Sequence, residues 1–351
     1  MHKAKMLLSV LAMTLTTSAW ACRQTEEAGN RADSFCAEVN HNYKRVDETL
    51  ERTNIKQGVL DLYLKKNWQE LDKLEKQYIV GFPATQSGTQ KLVLFYSAFN
   101  STFGDNVELM NSIVDEWLSS QPSSPAAHIL KAMALDAKAL ALRGEGSIDS
   151  VDPSTLPEIQ RLFSEEKEYL IKIKPVAASD PMWYQQMGVV ARYLGDSALM
   201  DKIVDEGSQK FPDYQNIYLE AVVMALPKWG GEPEKIEKIA RLAVSKTEKH
   251  SGYSLYAYLW YNAFRMQPEL LRLLDEHRIV SWDEMKKGWQ DRYKQYPTNN
   301  TVTKFMSNAC VANDKETFTQ AYKLMGEVYG DLEQNAWLSG TNYNDCVAYL
   351  R

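Results

Sequence analysis

The chain has 351 residues, of which 44% are hydrophobic and 25% charged, a composition typical of a globular protein with a core of its own. The formal net charge is −6, which argues against a general nucleic-acid-binding protein, because such proteins display a basic stripe. The length allows either one large helical array or two domains of ordinary size.

Residues 1–21 have the pattern of a cleaved signal peptide. Lys3 and Lys5 precede an apolar run, Met6 to Leu15, that is too short to cross a bilayer. Ala19-Trp20-Ala21 then fits the small-x-small cleavage rule. We therefore predict cleavage after Ala21, a periplasmic location and no transmembrane span.

Cys22 offers an alternative, in which the chain is a lipoprotein anchored in the envelope through this residue. A lipobox normally has Leu three residues before the cysteine and a small residue two before it. Ala19 and Trp20 occupy those positions here, so the pattern favours soluble export over a lipid anchor at Cys22.

The chain contains four cysteines outside the signal segment, and an even count in an oxidising compartment predicts disulfides. They are Cys22, Cys36, Cys310 and Cys346. Of the three possible connectivities we favour 22–36 with 310–346, because each pair would tie down one end of the chain. The alternative is that they are buried thiols.

Residues 22–45 are polar and have no clear period, so we predict an N-terminal segment that lies against the body of the protein. From Val46 onward apolar residues recur at helical spacing, and residues 46–351 are predicted to form one helical repeat-like domain. Its first unit is a helix ending at Leu64, a break at Lys65-Lys66-Asn67, and a second helix beginning at Trp68.

Later breaks carry recognisable signals. Ser124 is placed to cap a new helix that has Pro125 in its first turn. The segment from Gly144 to Pro157 reads as an internal linker, and the helix that starts near Leu156 is predicted to end before Pro175. Proline follows the second helix of several predicted hairpins, at Pro122, Pro212 and Pro297.

No stretch alternates like a strand flanked by hairpin turns, so the sequence predicts an all-α protein. Short helical hairpins cannot bury their apolar faces alone and therefore stack. We predict a tetratricopeptide-like, right-handed array of antiparallel helical hairpins, that is, an α-solenoid. The repeat is degenerate, since a strict tetratricopeptide period is not kept.

The turn Leu226 to Pro233 is the most distinctive local feature. Pro227 and Pro233 interrupt helices, and the Gly230-Gly231 pair permits backbone angles closed to other residues. Trp229 lies between them. It is either a plug between neighbouring hairpins, which we favour, or an exposed anchor for a partner.

Aromatic residues crowd the helix that follows. Tyr253, Tyr256, Trp260 and Phe264 fall on one stripe, whereas Tyr258 and Tyr261 lie off it. If the stripe packs in the core, the remaining tyrosines can reach a groove. The candidate partner-binding residues are thus Trp229, Tyr253, Tyr256, Tyr258, Trp260 and Tyr261, although core packing is the more common role of such residues.

The sequence offers no catalytic motif. No histidines or cysteines stand at zinc-ligand spacing, and no glycine-rich nucleotide-binding loop or serine-nucleophile turn is present. We therefore assign no catalytic, cofactor-binding or metal-binding residues and predict that the protein is not an enzyme.

Three places in the chain carry a family resemblance. The hairpin from Tyr193 to Pro212, the turn Pro227-Lys228-Trp229-Gly230-Gly231, and the tail from Ala309-Cys310-Val311-Ala312-Asn313-Asp314 through Trp337 and Cys346 resemble the bacterial domain-of-unknown-function family 4034. The resemblance covers most of the chain after Trp68. It implies an α-helical repeat-like body but supplies no ligand and no catalytic residues. Asn313 stands where glycine is expected and still fits a left-handed turn.

These observations predict an exported, non-enzymatic helical-repeat protein that binds another protein or a peptide in the bacterial envelope. A sharper version is an immunity protein that neutralises a periplasmic toxin. The alternatives are a cell-wall glycan-binding or glycan-cleaving protein, recognisable by facing carboxylates in a pocket, and a structural scaffold.

Overall fold

The computed structural model describes residues 43–103, 106–144, 146, 148–275, 279–325 and 334–350. Within these ranges the regular structure is helical and contains no β-strand, only two isolated bridges, so the all-α prediction is confirmed. The α-helices are α1 Glu48–Leu64, α2 Trp68–Ile79, α3 Lys91–Phe103, α4 Val107–Ser120, α5 Pro125–Arg143, α6 Leu156–Ala177, α7 Met182–Tyr193, α8 Ser197–Lys210, α9 Gln215–Ala225, α10 Pro233–Ser251, α11 Ser254–Met266, α12 Arg272–Asp275, α13 Trp282–Gln295, α14 Asn299–Val311, α15 Lys315–Leu324 and α16 Tyr343–Cys346.

One turn geometry recurs where the two helices of a hairpin join. Lys66, Gly195 and Asn313 all have left-handed backbones, with φ of 53°, 66° and 52°. The next residue is the N-cap of the second helix, and its N–H bonds back to a carbonyl five residues earlier. These bonds are Asn67 to Leu62 at 3.0 Å, Asp196 to Ala191 at 2.8 Å and Asp314 to Ala309 at 3.0 Å. Asn313 therefore adopts the conformation predicted for it.

A second geometry recurs where one hairpin passes to the next. Gln121, Phe211 and Tyr296 end helices α4, α8 and α13 with φ of −131°, −134° and −133°. Each precedes a proline, which restricts that residue to extended backbone. The proline signals thus mark real boundaries, and Ser124 caps α5 as predicted, with its Oγ accepting from the N–H of Ala127 at 3.1 Å.

Neighbouring helices pack on each other throughout the described chain. The first helices of successive hairpins, α5, α7, α9 and α11, contact one another in sequence, and so do the second helices α8, α10 and α13. Helices α5 and α6 also pack together across the predicted linker, which contains two 3₁₀ turns, Ile148–Ser150 and Pro153–Thr155. The buried apolar side chains form one core cluster that extends from Val59 to Cys346.

The prediction that a helix ends before Pro175 is wrong, because α6 continues to Ala177. Pro175 lies in the last turn, where its missing N–H removes the bond to the carbonyl of Ile171. Ile171 is 55% exposed, so water can solvate that carbonyl. Continuing the helix past Pro175 therefore costs little stability.

The C-terminal segment is held against α14. Cys310 and Cys346 form a disulfide with a Cα–Cα distance of 5.8 Å, as the sequence predicts. The N–H of Leu338 donates to Ser307 Oγ at 2.8 Å, and the Tyr261 hydroxyl donates to the Ala336 carbonyl at 2.9 Å. The predicted signal peptide, Cys22 and Cys36 lie outside the described residues.

Among the helices the structure describes, none combines the length and apolar character needed to cross a membrane.

Candidate binding surfaces

The connection between α2 and α3 is a loop, Gly81–Gln90, that is folded on itself. The N–H of Thr85 donates to the Thr89 carbonyl at 2.8 Å, and the N–H of Gly88 donates to the Thr85 carbonyl at 3.0 Å. Two consecutive left-handed residues, Gly81 with φ 69° and Phe82 with φ 46°, turn the chain into this loop. Its shape is therefore fixed largely by its own backbone.

The loop reaches across to the connection between α8 and α9. The Phe82 ring lies 5.6 Å from the Tyr214 ring and 6.3 Å from the Phe211 ring, between centroids. The Gln90 side chain donates from Nε2 to the Asp213 carbonyl at 2.8 Å, and its Oε1 accepts from the N–H of Gln215 at 3.2 Å. Two aromatic contacts of Phe82 and two hydrogen bonds of the Gln90 amide thus hold the two ends of the loop.

The middle of the loop contacts the connection between α13 and α14. The Ser87 and Thr298 hydroxyl oxygens lie 3.1 Å apart. Gly88, with φ 87°, rests on Tyr296, and a Cβ added there would lie 2.8 Å from the tyrosine ring. Only glycine fits at this position without displacing the ring.

Glu48, the first residue of α1, is buried beneath the loop. Its Oε1 accepts from the Thr85 hydroxyl at 2.9 Å and the Thr89 hydroxyl at 2.8 Å. Its Oε2 is buried and has no protein hydrogen-bond partner among the described residues. The carboxylate therefore joins α1 to the loop through one oxygen, and its other oxygen accepts no hydrogen bond from these residues.

Arg292 of α13 also lies beneath the loop, next to Gly88, and is 2% exposed. Its guanidinium carbon is 4.3 Å from the Tyr258 ring centroid and 5.1 Å from the Tyr296 ring centroid. Nη1 is buried without a protein hydrogen-bond partner in the described chain, and no carboxylate there forms an ion pair with the side chain. Desolvation lowers the pKa of Arg292, with Tyr296, Tyr258 and Glu48 opposing that shift. We call Glu48, Thr85, Thr89, Arg292 and Thr298 the polar centre.

The polar centre is covered by the loop, so a ligand can reach its groups only where the loop gives way. It offers a buried cation stacked between two aromatic rings, a buried carboxylate and several hydroxyl groups, all of which can hold a polar ligand by hydrogen bonds. No group of three or more histidine, cysteine or acidic side chains within the described ranges could hold a metal ion.

A second buried polar group, Glu75 and Asp180, lies near the same end of the helices. The Tyr96 hydroxyl donates to Asp180 Oδ2 at 2.5 Å, and the N–H of Met182 donates to Oδ1 at 2.7 Å. Burial, and then the neighbouring Asp180, raise the pKa of Glu75 to about 10, so Glu75 is neutral near pH 7. Both residues are shielded from solvent, with exposures of 1% and 0%, which identifies them as internal packing groups.

At the opposite ends of the helices, Trp229 belongs to an aromatic–arginine surface. Its ring meets the Tyr193 ring edge-on at 5.3 Å, and the Arg192 guanidinium carbon lies 4.7 Å from the Trp229 ring centroid. Tyr193 stacks on Phe163 of α6 at 4.4 Å, and Arg192 approaches Glu220 of α9 at 3.4 Å. We call Arg192, Tyr193, Glu220 and Trp229 the tryptophan surface; all four are partly exposed.

The turn that carries Trp229 is rigid for identifiable reasons. Gly230 has φ 79°, and a Cβ on Gly231 would lie 2.4 Å from the Ala225 carbonyl. Lys228 fastens the turn to the end of α11, because its N–H donates to Gln267 Oε1 at 3.1 Å and its Nζ donates to the Met266 carbonyl at 2.9 Å. Trp229 thus packs against the preceding hairpin while its neighbour binds the following one.

Three of the six candidate aromatics are buried and cannot contact a partner in this conformation. Tyr256 and Trp260 both donate to Glu237 Oε2 at 2.9 Å. Tyr261, which helical spacing placed away from the core stripe, is 2% exposed, because the C-terminal segment covers it and Ala336 accepts its hydroxyl proton. Their polar atoms have internal partners.

The other candidates remain partly exposed. Tyr258 stacks on Arg292 at the polar centre, whereas Tyr253 lies under the Lys287 ammonium, whose nitrogen is 3.9 Å from the ring centroid. The structure therefore separates the predicted residues into three buried aromatics, Tyr258 at the polar centre, Tyr253 beneath Lys287, and Trp229 at the other end.

Sequence reasoning missed Arg292, Glu48 and the loop contacts. Arg292 sits at an ordinary position of an amphipathic helix, and nothing local indicates that a loop some two hundred residues earlier will cover it. The available signals were the paired Gly81 and Gly88 and the aromatic Phe82 in a segment recognisable only as a loop.

Comparison with known proteins finds no matching family model, no matching curated protein and no matching solved structure.

Proposed function

We propose that the chain is an exported, non-enzymatic, tetratricopeptide-like α-solenoid that binds another protein or a peptide in the bacterial envelope. The two recurring turn geometries and the sequential packing of first helices on first helices support the solenoid, because they are what a stacked repeat requires. The resemblance to family 4034 and the pattern of residues 1–21 support the bacterial and exported parts of the proposal.

The tryptophan surface is the observation that carries the binding role. Trp, Tyr and Arg are the residues that most often dominate binding energy at protein interfaces. Here their rings and guanidinium are held against one another and remain partly accessible, so little side-chain entropy is lost when a partner covers them. Two successive hairpins contribute to this surface, which gives a partner an area wider than one helix.

Site-specific photo-crosslinking in intact cells tests the proposal. Tyr193 is replaced by p-benzoylphenylalanine, and the matched control carries the same photo-reactive residue at Leu64, which is 68% exposed on α1. We expect a discrete protein or peptide adduct at position 193 that is absent at position 64. No adduct at position 193, or the same adducts at both positions, would contradict the proposal.

The envelope location has its own test. Intact mass measurement of the chain from a periplasmic fraction should give the mass expected after cleavage following Ala21. A diacylglycerol or acyl addition on Cys22 would instead identify an envelope lipoprotein, and an uncleaved cytoplasmic chain would refute export.

A further inference from the structure

We propose that the Gly81–Gln90 loop is the internal ligand of a peptide-binding groove, and that a partner peptide of the same chemistry binds by replacing it. The groove is lined by Phe211, Asp213, Tyr214, Tyr296 and Thr298. The fitting peptide has an aromatic side chain, an uncharged stretch of small polar residues, and a carboxamide side chain at the far end. This inference rests on the proposed function, because it assumes that the protein binds a protein or peptide. It adds a second binding surface and the class of peptide that this surface accepts.

The loop engages the groove as a bound peptide does. Phe82 supplies one aromatic anchor against Phe211 and Tyr214, which is the kind of contact that dominates peptide affinity. Gln90 pairs with the backbone of the α8–α9 connection through both its amide atoms. None of these contacts depends on the loop being covalently continuous with α2 and α3.

The root of the loop is strained. Phe82 has φ 46°, a left-handed backbone that a residue with a side chain rarely adopts because its Cβ comes too close to the carbonyl oxygen. Gly81 adopts its left-handed backbone at little cost because it is glycine, so the strain at this turn lies on Phe82. Leaving the groove releases this strain, which favours exchange with a peptide that needs no such turn.

The docked loop also leaves two polar atoms beneath it without hydrogen bonds. Glu48 Oε2 and Arg292 Nη1 are buried, and neither has a protein hydrogen-bond partner among the described residues. Buried charged groups of this kind gain when they are hydrogen-bonded. A partner peptide that supplies one donor and one acceptor at this depth makes bonds that the loop does not make.

The charge of the site defines the peptide further. The loop sequence, Gly-Phe-Pro-Ala-Thr-Gln-Ser-Gly-Thr-Gln, carries no ionisable side chain. The two buried charged groups of the polar centre have opposite sign, so neither an acidic nor a basic peptide gains from the site as a whole. An uncharged segment is therefore the matching class.

The test uses a fluorescein-labelled decapeptide with the sequence of residues 81–90 and fluorescence anisotropy on the full mature chain. The variant Phe82→Ala with Gln90→Ala weakens the loop and leaves the groove unchanged. We expect it to bind the peptide at least tenfold more tightly than the wild type. A peptide with alanine in place of its phenylalanine should lose at least tenfold in affinity, and a scrambled peptide should not bind.

A second, locked variant, in which a disulfide holds the loop in the groove, tests the opposite case. Ser87→Cys with Thr298→Cys places two thiols where the hydroxyl oxygens lie 3.1 Å apart, so oxidation should hold the loop in the groove. The oxidised variant should bind no peptide, and the reduced variant should bind it with the affinity of the wild type. Because the reductant also breaks the Cys310–Cys346 disulfide, the wild type is measured in the same reductant as a control.

Three results would overturn the inference. One is that the weakened variant, shown by near-UV circular dichroism to be folded, does not bind the decapeptide; the single variant Gln90→Ala serves if the double variant fails to fold. Another is that the scrambled peptide binds equally well. The third is a wild-type dimer that the locked variant abolishes, which would make a second copy of this chain the occupant. Crosslinking at Tyr193 reports on the other end of the helices, so failure of the proposed function and failure of this inference are distinguishable.

Discussion

Gln90 and Gln215, 125 positions apart in the chain, are joined by a hydrogen bond of 3.2 Å from the N–H of Gln215 to Gln90 Oε1. The amide nitrogen of Gln90 completes the pair by donating to the Asp213 carbonyl at 2.8 Å. This side chain therefore satisfies the backbone where α9 begins, a place where helices have N–H groups without internal partners.

Replacing Gln90 with alanine should lower the free energy of unfolding by about 1–3 kcal/mol, because it leaves a buried N–H and a partly buried carbonyl without partners. Thermal or urea unfolding measures the effect. Gln86→Ala in the same loop is the matched control, since Gln86 is exposed, and it should change stability by less than about 0.5 kcal/mol. Equal losses in the two variants would mean that the Gln90 contact is not stabilising.

Gly230 and Gly231 should respond differently to alanine. Gly230→Ala meets no atom within 4 Å and is penalised only for its left-handed backbone, by about 1 kcal/mol. Gly231→Ala places a Cβ 2.4 Å from the backbone of Ala225, which can yield only if the turn moves. We expect the Gly231 variant to lose at least twice as much stability as the Gly230 variant in urea unfolding. The reverse order would show that the turn relaxes freely.

Glu75→Gln should stabilise the protein at alkaline pH. The folded chain holds a proton on Glu75, whose pKa is about 10 against an ordinary value of 4.5, whereas the unfolded chain releases it. The free energy of unfolding therefore falls as the pH rises through this window, and a glutamine side chain, which does not ionise, removes that loss.

Differential scanning calorimetry at several pH values measures this difference. Glu75→Gln should be more stable than the wild type at pH 8, and the difference should shrink steadily towards pH 4.5. Glu70→Gln, on the same helix but with an exposed side chain, should follow the wild-type pH dependence. A wild-type slope in the Glu75 variant would contradict the assignment of a neutral carboxyl group.

Trp229→Ala distinguishes packing from recognition. The side chain is partly buried against Tyr193 and Arg192, so its removal should lower the unfolding free energy by about 1–3 kcal/mol. Trp229→Phe keeps an aromatic contact with Tyr193 and should recover most of that loss. If alanine leaves the melting temperature unchanged but abolishes the Tyr193 crosslink, the side chain is an anchor alone and not the plug that we favour.

The double variant Cys310→Ser with Cys346→Ser should lose about 2–4 kcal/mol, because the disulfide closes a sequence separation of 36. Its C-terminal segment should become sensitive to limited proteolysis under conditions in which the wild type resists. Mass spectrometry of a non-reduced digest checks the connectivity directly. A digest in which these cysteines pair with other residues would refute the local pairing.

Much of the helical framework is readable in the sequence, because its signals are local. The Lys65-Lys66-Asn67 break, the Ser124 cap and the left-handed Asn313 follow from the backbone preferences of those residues and appear where expected. Pro175 was misread because the cost of a proline depends on how exposed the preceding turn is, which the sequence does not state.

The candidate surfaces were less predictable, because they depend on contacts that are remote in the chain. Helical spacing placed Tyr261 away from the core, but the C-terminal segment buries it. The same spacing could not show that Tyr256 and Trp260 share Glu237, nor that Gly88 covers Arg292 and Tyr296. The sequence does single out Trp229, because the prolines and glycines that mark its turn are its near neighbours in the chain.

The start of α1 has a consequence for how the molecule is made. The N–H of Val46 donates to Asn299 Oδ1 across a separation of 253 residues, and Lys44 bonds to Pro297 beside it. Val46 and Lys44 are synthesised long before Asn299 and Pro297. These two bonds therefore cannot form until most of the polypeptide has been made. The bonds that join the start of α1 to the α13–α14 connection therefore form late in synthesis, and a chain truncated before α14 would lose them while keeping the packing of α1 on α3.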